Sequence, residues 1–212
     1  MPRKVSDFRG LTQPARLRLL RAVQRQPGRR VRELAAELEM PLNTARDHLW
    51  VLEDEGLIRR EQVATNTRGR PPIVFHPVRE ADASEAASAR AKAAQERGAL
   101  LRAVTETSGT ADGAAQSQID VLYEHFDDAG LQPDVDESTL TFALAPCNYH
   151  DAIDQDQSLV CAVHARLVGD VLRQVEGPLA LKRLDPFLTP HSCRVQLTRR
   201  RNAAAEATPE EA

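Results

Sequence analysis

The stretch "EMPLNTARDHLWVLEDEGLIRRE", residues 39 to 61, limits the fold more than any other part of the chain. Pro41 has no backbone N–H, so the helix before it cannot run on. Asn43 is placed to cap a new helix over "TARDHLWVLEDE", and Gly56 is placed to stop it. Ala45, Leu49 and Leu52 recur at helical spacing and define an inner face. The preceding "VRELAAEL" offers Val31, Leu34, Ala35 and Leu38 to the same core. Two short helices joined by a tight turn in this way form a helix-turn-helix.

The flanks extend the motif. "TQPARLRLLRAVQRQ" predicts an earlier helix over 12–26, with Thr12 as cap, Pro14 in the first turn and Leu17, Leu20 and Val23 as its apolar stripe. "LIRREQVA" and "PIVFHP" predict two strands around the basic turn "TNTRGRP". Three helices and a hairpin make a winged helix. "PLNTARDHLWVLEDEGLIRRE" closely resembles the recognition helix and first wing strand of bacterial ArsR- and MarR-type regulators, with His48, Leu49, Leu52, Gly56 and Leu57 on the shared pattern. The resemblance covers roughly residues 11 to 78.

With Ala45, Leu49 and Leu52 turned inward, Asn43, Thr44, Arg46, Asp47 and Trp50 fall on or near the outer face. The N-terminal part of such a helix enters the major groove. There Arg46 is suited to guanine, and Asn43 or Thr44 to bases or phosphates. Asp47 would repel phosphate, so it reads a base donor or holds an arginine. Trp50 packs on the DNA backbone or the wing, or else half-buries in the core. Arg68 and Arg70 flank Gly69 at the wing tip, where arginine can enter a narrow minor groove. Arg59 and Arg60 suit phosphate.

Charge divides the chain. Residues 1 to 79 carry 16 Lys+Arg against 9 Asp+Glu, and residues 80 to 212 carry 12 against 22. A basic half followed by an acidic half suggests a nucleic-acid module joined to something else. No run of about 18 apolar residues occurs, and "MPRKVSDFRG" lacks an apolar signal core, so the expected setting is cytoplasmic with no membrane partner.

The expected fold class is α+β, in four parts. Residues 1–79 form the winged helix. Residues 80–108 are alanine-rich and helical, with Ala83, Ala87, Ala94, Leu101 and Val104 as the seam of a dimerisation helix. Such regulators read paired half-sites as homodimers, so double-stranded operator DNA and a second copy are the expected partners. "SGTADGAAQ" reads as a flexible break. Residues 115–198 predict α-β-β-α-β-β with an antiparallel sheet, and 199–212 a disordered tail.

The three cysteines all lie in this last domain, in the pattern C-x13-C-x2-H-x28-C, formed by Cys147, Cys161, His164 and Cys193. Cys161 and His164 are three apart on a helix and share a face. An odd cysteine count in a cytosolic chain favours metal or redox chemistry over disulfides. Three thiolates and an imidazole suit zinc or an iron–sulfur cluster. His150 and His191 are rivals of His164 for the fourth place. The bland alternative is three small apolar residues in a core. "APCNYHD", "LVCAVHARLVGDVL" and "LDPFLTPHSCRVQL" behind a winged helix resemble the SufR-like bacterial repressors. That resemblance implies a dimeric repressor whose Cys147, Cys161 and Cys193 hold an iron–sulfur cluster, such as 4Fe-4S, that senses redox state, nitric oxide or iron. A structural zinc or a small-molecule effector pocket is the alternative. Cys161 and His164 are poorly placed as nucleophile and base, and no oxyanion motif accompanies them, so no catalytic residue is expected.

Overall fold

The computed structural model describes residues 11, 13–64, 71–105, 112–146, 150–189 and 191–200. The architecture is α+β, and the described residues form six α-helices and two antiparallel sheets.

Helix α1 is Pro14–Arg25, with Pro14 in its first turn and no side-chain cap; Thr12 lies outside the described residues. A two-residue strand β1, Arg29–Arg30, leads into α2, Val31–Glu37. Glu39 turns the chain with a positive φ of 51°, and α3 runs Leu42–Asp54. The cap differs from the expected one. Pro41 holds the N-cap position and its carbonyl accepts from Ala45 N–H at 3.0 Å. Asn43 is therefore inside the first turn, where its Oδ1 accepts from Arg46 Nη1 at 3.3 Å.

Gly56 stops α3 as expected, at φ 66°. Its N–H donates to Glu53 O at 2.9 Å, and Leu57 N–H to Leu52 O at 2.9 Å. Only glycine takes this left-handed cap without cost. A Cβ here would also stand 3.0 Å from the backbone nitrogen of Ala87. The hairpin follows: β2, Ile58–Gln62, pairs with β3, Ile73–Pro77, from Ile58↔Pro77 to Gln62↔Ile73. Strand β1 adds to β3, giving the order β1-β3-β2; this third strand was not foreseen.

Helix α4 is Glu85–Thr105. The expected seam divides. Ala87, Ala91 and Ala94 are buried within this chain, and α4 packs on α5. Ala83 belongs to a short 3-10 turn ahead of α4. Leu100, Leu101 and Val104 are exposed. The arginines of α4 are tied down: Arg90 donates to Glu55 O at 2.9 Å, Arg97 to Glu124 at 2.7 Å, and Arg102 to both oxygens of Asp120. Gly98 leaves room for that last pair, since a Cβ there would meet the Asp120 carboxylate at 2.3 Å.

Helix α5 is Gly113–Asp128. Part of the expected flexible break is thus helical. Asp112 caps α5 by accepting from Ala115 N–H at 2.8 Å, a role that "SGTAD" concealed among small residues. Strands β4, Pro133–Asp136, and β5, Thr141–Leu144, form a hairpin. Helix α6, His150–Val171, has a kink at Asp156. There Asp156 Oδ1 accepts from Ser158 Oγ and Leu159 N–H, both at 2.9 Å, and so caps the long second segment. Strands β6, Leu179–Thr189, and β7, Ser192–Arg199, complete the sheet in the order β4-β5-β7-β6. Pro186 is tolerated within β6 because β6 is an edge.

One apolar core joins the halves. Leu17, Leu19, Leu20 and Val23 of α1 share a cluster with Val160, Val163 and Leu167 of α6, Ile119, Leu122 and Phe126 of α5, and Phe142 and Val195 of the sheet. α1 packs on both α3 and α6. Each such side chain contributes about 1.5–3 kcal/mol when fully buried. Gln118 stitches the centre. Its Nε2 donates to Leu172 O at 2.6 Å, and its Oε1 accepts from Leu179 N–H at 2.7 Å.

Candidate DNA interface and cysteine cavity

Helix α3 shows two faces, as its spacing requires. Ala45, Leu49 and Leu52 are buried, while Asn43, Thr44, Arg46 and Asp47 are exposed. Trp50 is 65% exposed, which places it on the surface rather than in the core. Arg59 Nη1 pairs with Glu61 Oε2 at 2.8 Å and holds that carboxyl below its usual range by hydrogen bonding. Arg60 Nε pairs with Glu53 Oε1 at 3.1 Å and so ties β2 to α3. Arg68 and Arg70 lie outside the described residues.

A groove between α3 and the hairpin is bordered by Arg30, Arg32, Arg46 and Arg60 and floored by Val31, Leu49, Ile73 and Phe75. Four guanidinium groups around one groove suit a phosphate backbone. Arg30 and Arg32 were missed as candidates. The basic run "GRRVR" was the signal, but only β1 pairing with β3 brings it beside α3.

Residues 11 to 61 match the family described as a helix-turn-helix domain. This part of the chain is a helix-turn-helix domain. It supports a DNA-binding transcription regulator, because the second helix of such a motif reads the major groove. No curated protein and no solved structure matches the chain.

Behind the helix-turn-helix domain lies a cavity of about 30 Å³. Cys161 and His164 of α6 line it with Cys193 of β7 and His125 of α5. The rest is apolar, including Phe126, Leu144, Val160, Leu184 and Leu11. Leu11 is part of the helix-turn-helix match, so that domain supplies one wall. Helical spacing puts Cys161 and His164 on one face, and the pairing Leu144↔Cys193 brings β7 to the same place. Cys161 and Cys193 are thiols. Burial pushes His125 down to about 3, with smaller contributions from Arg90 and His164, and burial pushes His164 down to about 4. Both imidazoles are therefore neutral near pH 7, the form that ligates metals.

Cys147 and the side chain of His150 lie outside what the structure describes. His191 is exposed and does not line the cavity. Among the described residues, no three His, Cys, Asp or Glu side chains are grouped to hold an ion. The donor chemistry fits a soft metal, but the set closes only with Cys147. The free space of about 30 Å³ holds a water molecule or a single ion. His125 was missed because "LYEHF" reads as an ordinary amphipathic helix.

Proposed function

We propose that this regulator senses a metal group held by Cys147, Cys161, His164 and Cys193, and reports it to operator DNA through its helix-turn-helix domain. The observation that carries the reading is two thiols and a neutral imidazole, from α6 and β7, lining one cavity, with Cys147 three residues after the end of β5 in sequence. The resemblance of the flanking segments to SufR-like repressors favours an iron–sulfur cluster. Such a group would supply sensitivity to redox state, nitric oxide or iron. The same resemblance gives repression as the polarity, and a homodimer acting in the cytoplasm. Among the described residues no helix is long and apolar enough to cross a membrane. Leu100, Leu101 and Val104, exposed at the end of α4, are the surface for the second copy.

Purification without oxygen, followed by the visible spectrum and iron and sulfide analysis, tests the cluster. A brown chain that loses colour in Cys147→Ser and Cys161→Ser supports it. A colourless, iron-free chain that still binds DNA fully removes it. The cavity volume favours a second reading, a single zinc ion. Stoichiometric zinc, with a chelator lowering thermal stability, would identify that case.

A further inference from the structure

The cavity and the root of the wing share one helix. The second segment of α6 carries Cys161 and His164 into the cavity wall, packs on α1 through the shared core, and has Asp170 in its last turn, one residue before its end at Val171. Asp170 is 2% exposed. Its Oδ1 accepts from Arg79 Nε at 3.0 Å and from Arg173 Nη1 at 3.1 Å. Arg79 stands two residues after β3, the second strand of the wing. Next to this pair, Gln174 Nε2 reaches Val78 O at 3.5 Å. Oδ2 of Asp170 is buried with no hydrogen-bond partner among the described residues. Burial raises this carboxyl above its usual range, against the pull of Arg79 and Arg173. A half-satisfied buried carboxylate is costly, so this contact is sensitive to small displacements.

The cavity adds the force. About 30 Å³ is free within its described lining, so a bulkier side chain placed there presses on that lining. Its walls are α5, α6, the strands and Leu11, and packed cores shift between discrete arrangements rather than deforming smoothly.

We propose that α6 is the transmission element of this protein: enlarging the cavity shifts α6 against α1 and releases the Arg79–Asp170 contact at the root of the wing, which weakens DNA binding. Asp170 is then a positioning residue for the DNA-binding surface, 91 positions away from Arg79 in sequence and in direct contact with it. The inference rests on the DNA-binding reading but not on the identity of the cavity's occupant. Two sites biasing one two-state element is the physical content of allosteric coupling.

The test is a double-mutant cycle on the full-length chain, using a duplex that the wild-type chain selects from a random-sequence pool. Cys161→Met puts a longer apolar side chain into the cavity, and Asp170→Asn weakens the contact without changing its shape. The expected result is that Cys161→Met weakens duplex binding about tenfold, within the usual range of coupling. Asp170→Asn should weaken it by a similar factor, and the double variant should be within about twofold of Asp170→Asn alone. Circular dichroism and thermal melting check the fold. Cys193→Met and Arg79→Gln address the same cavity and the same pair from the other side, and replace any variant that does not fold. Effects that multiply in the double variant overturn the proposal, as does unchanged binding in both cavity-filling variants. A wild-type chain that selects no duplex overturns the DNA-binding reading and the coupling together.

Discussion

The outer face of α3 and the cavity face of α6 are each one side of a helix, yet they are built on opposite terms. On α3, polar and charged side chains stand in water, with Arg46 held by Asn43 and Glu53 paired with Arg60 of β2. On α6, two potential ligands sit among apolar side chains, and burial keeps His164 neutral. The first surface can meet a polyanion without rearranging. The second lines a small cavity among side chains already packed together.

The sharpest break in this contrast would come from the core beneath both. Phe142→Ala, at a fully buried position, should cost about 3–5 kcal/mol. Because α1 shares that core, hydrogen exchange should speed up in α1 and β5 together. Unchanged exchange in α1 would show two independent units. Next is pH. Unfolded histidines take protons near 6.5, whereas native His125 and His164 resist until about 3 and 4. Stability of the metal-free chain is therefore complete above pH 6.5 and falls below it, by about 1.4 kcal/mol per pH unit for each histidine. Denaturant melts with chelator present at pH 7 and 5.5 check the slope, and His125→Gln should flatten it. At the α3 surface, Arg46→Ala should cost about 1–3 kcal/mol of operator affinity. Its exposed position predicts a stability change within about 0.5 kcal/mol. Smallest is Trp50→Ala, also within about 0.5 kcal/mol in thermal melts, since the side chain is mostly in solvent.

The two regions also differed in how well the sequence disclosed them. The α3 surface is local: Pro41, the Ala45–Leu49–Leu52 spacing and Gly56 lie within sixteen residues, and each acts on its neighbours. The order of the C-terminal elements was legible for the same reason. The cavity is not local. Cys161, His164 and Cys193 were found by residue type, but His125 and Leu11 come from elements whose own patterns say only "helix". The alanine stripe of α4 shows the limit. Periodicity reveals that one face is apolar, not whether the same chain or another copy covers it. Ala87, Ala91 and Ala94 turned out to face inward.

The prolines of the C-terminal sheet bear on how copies of this chain can meet. Its two edge strands, β4 and β6, each carry one: Pro133 and Pro186. Each removes a donor that an added strand would need, and Lys182 and Arg183 put charge along β6. The sheet is thus closed to extension on both sides. Pairing of a further strand onto this sheet is discouraged by these residues.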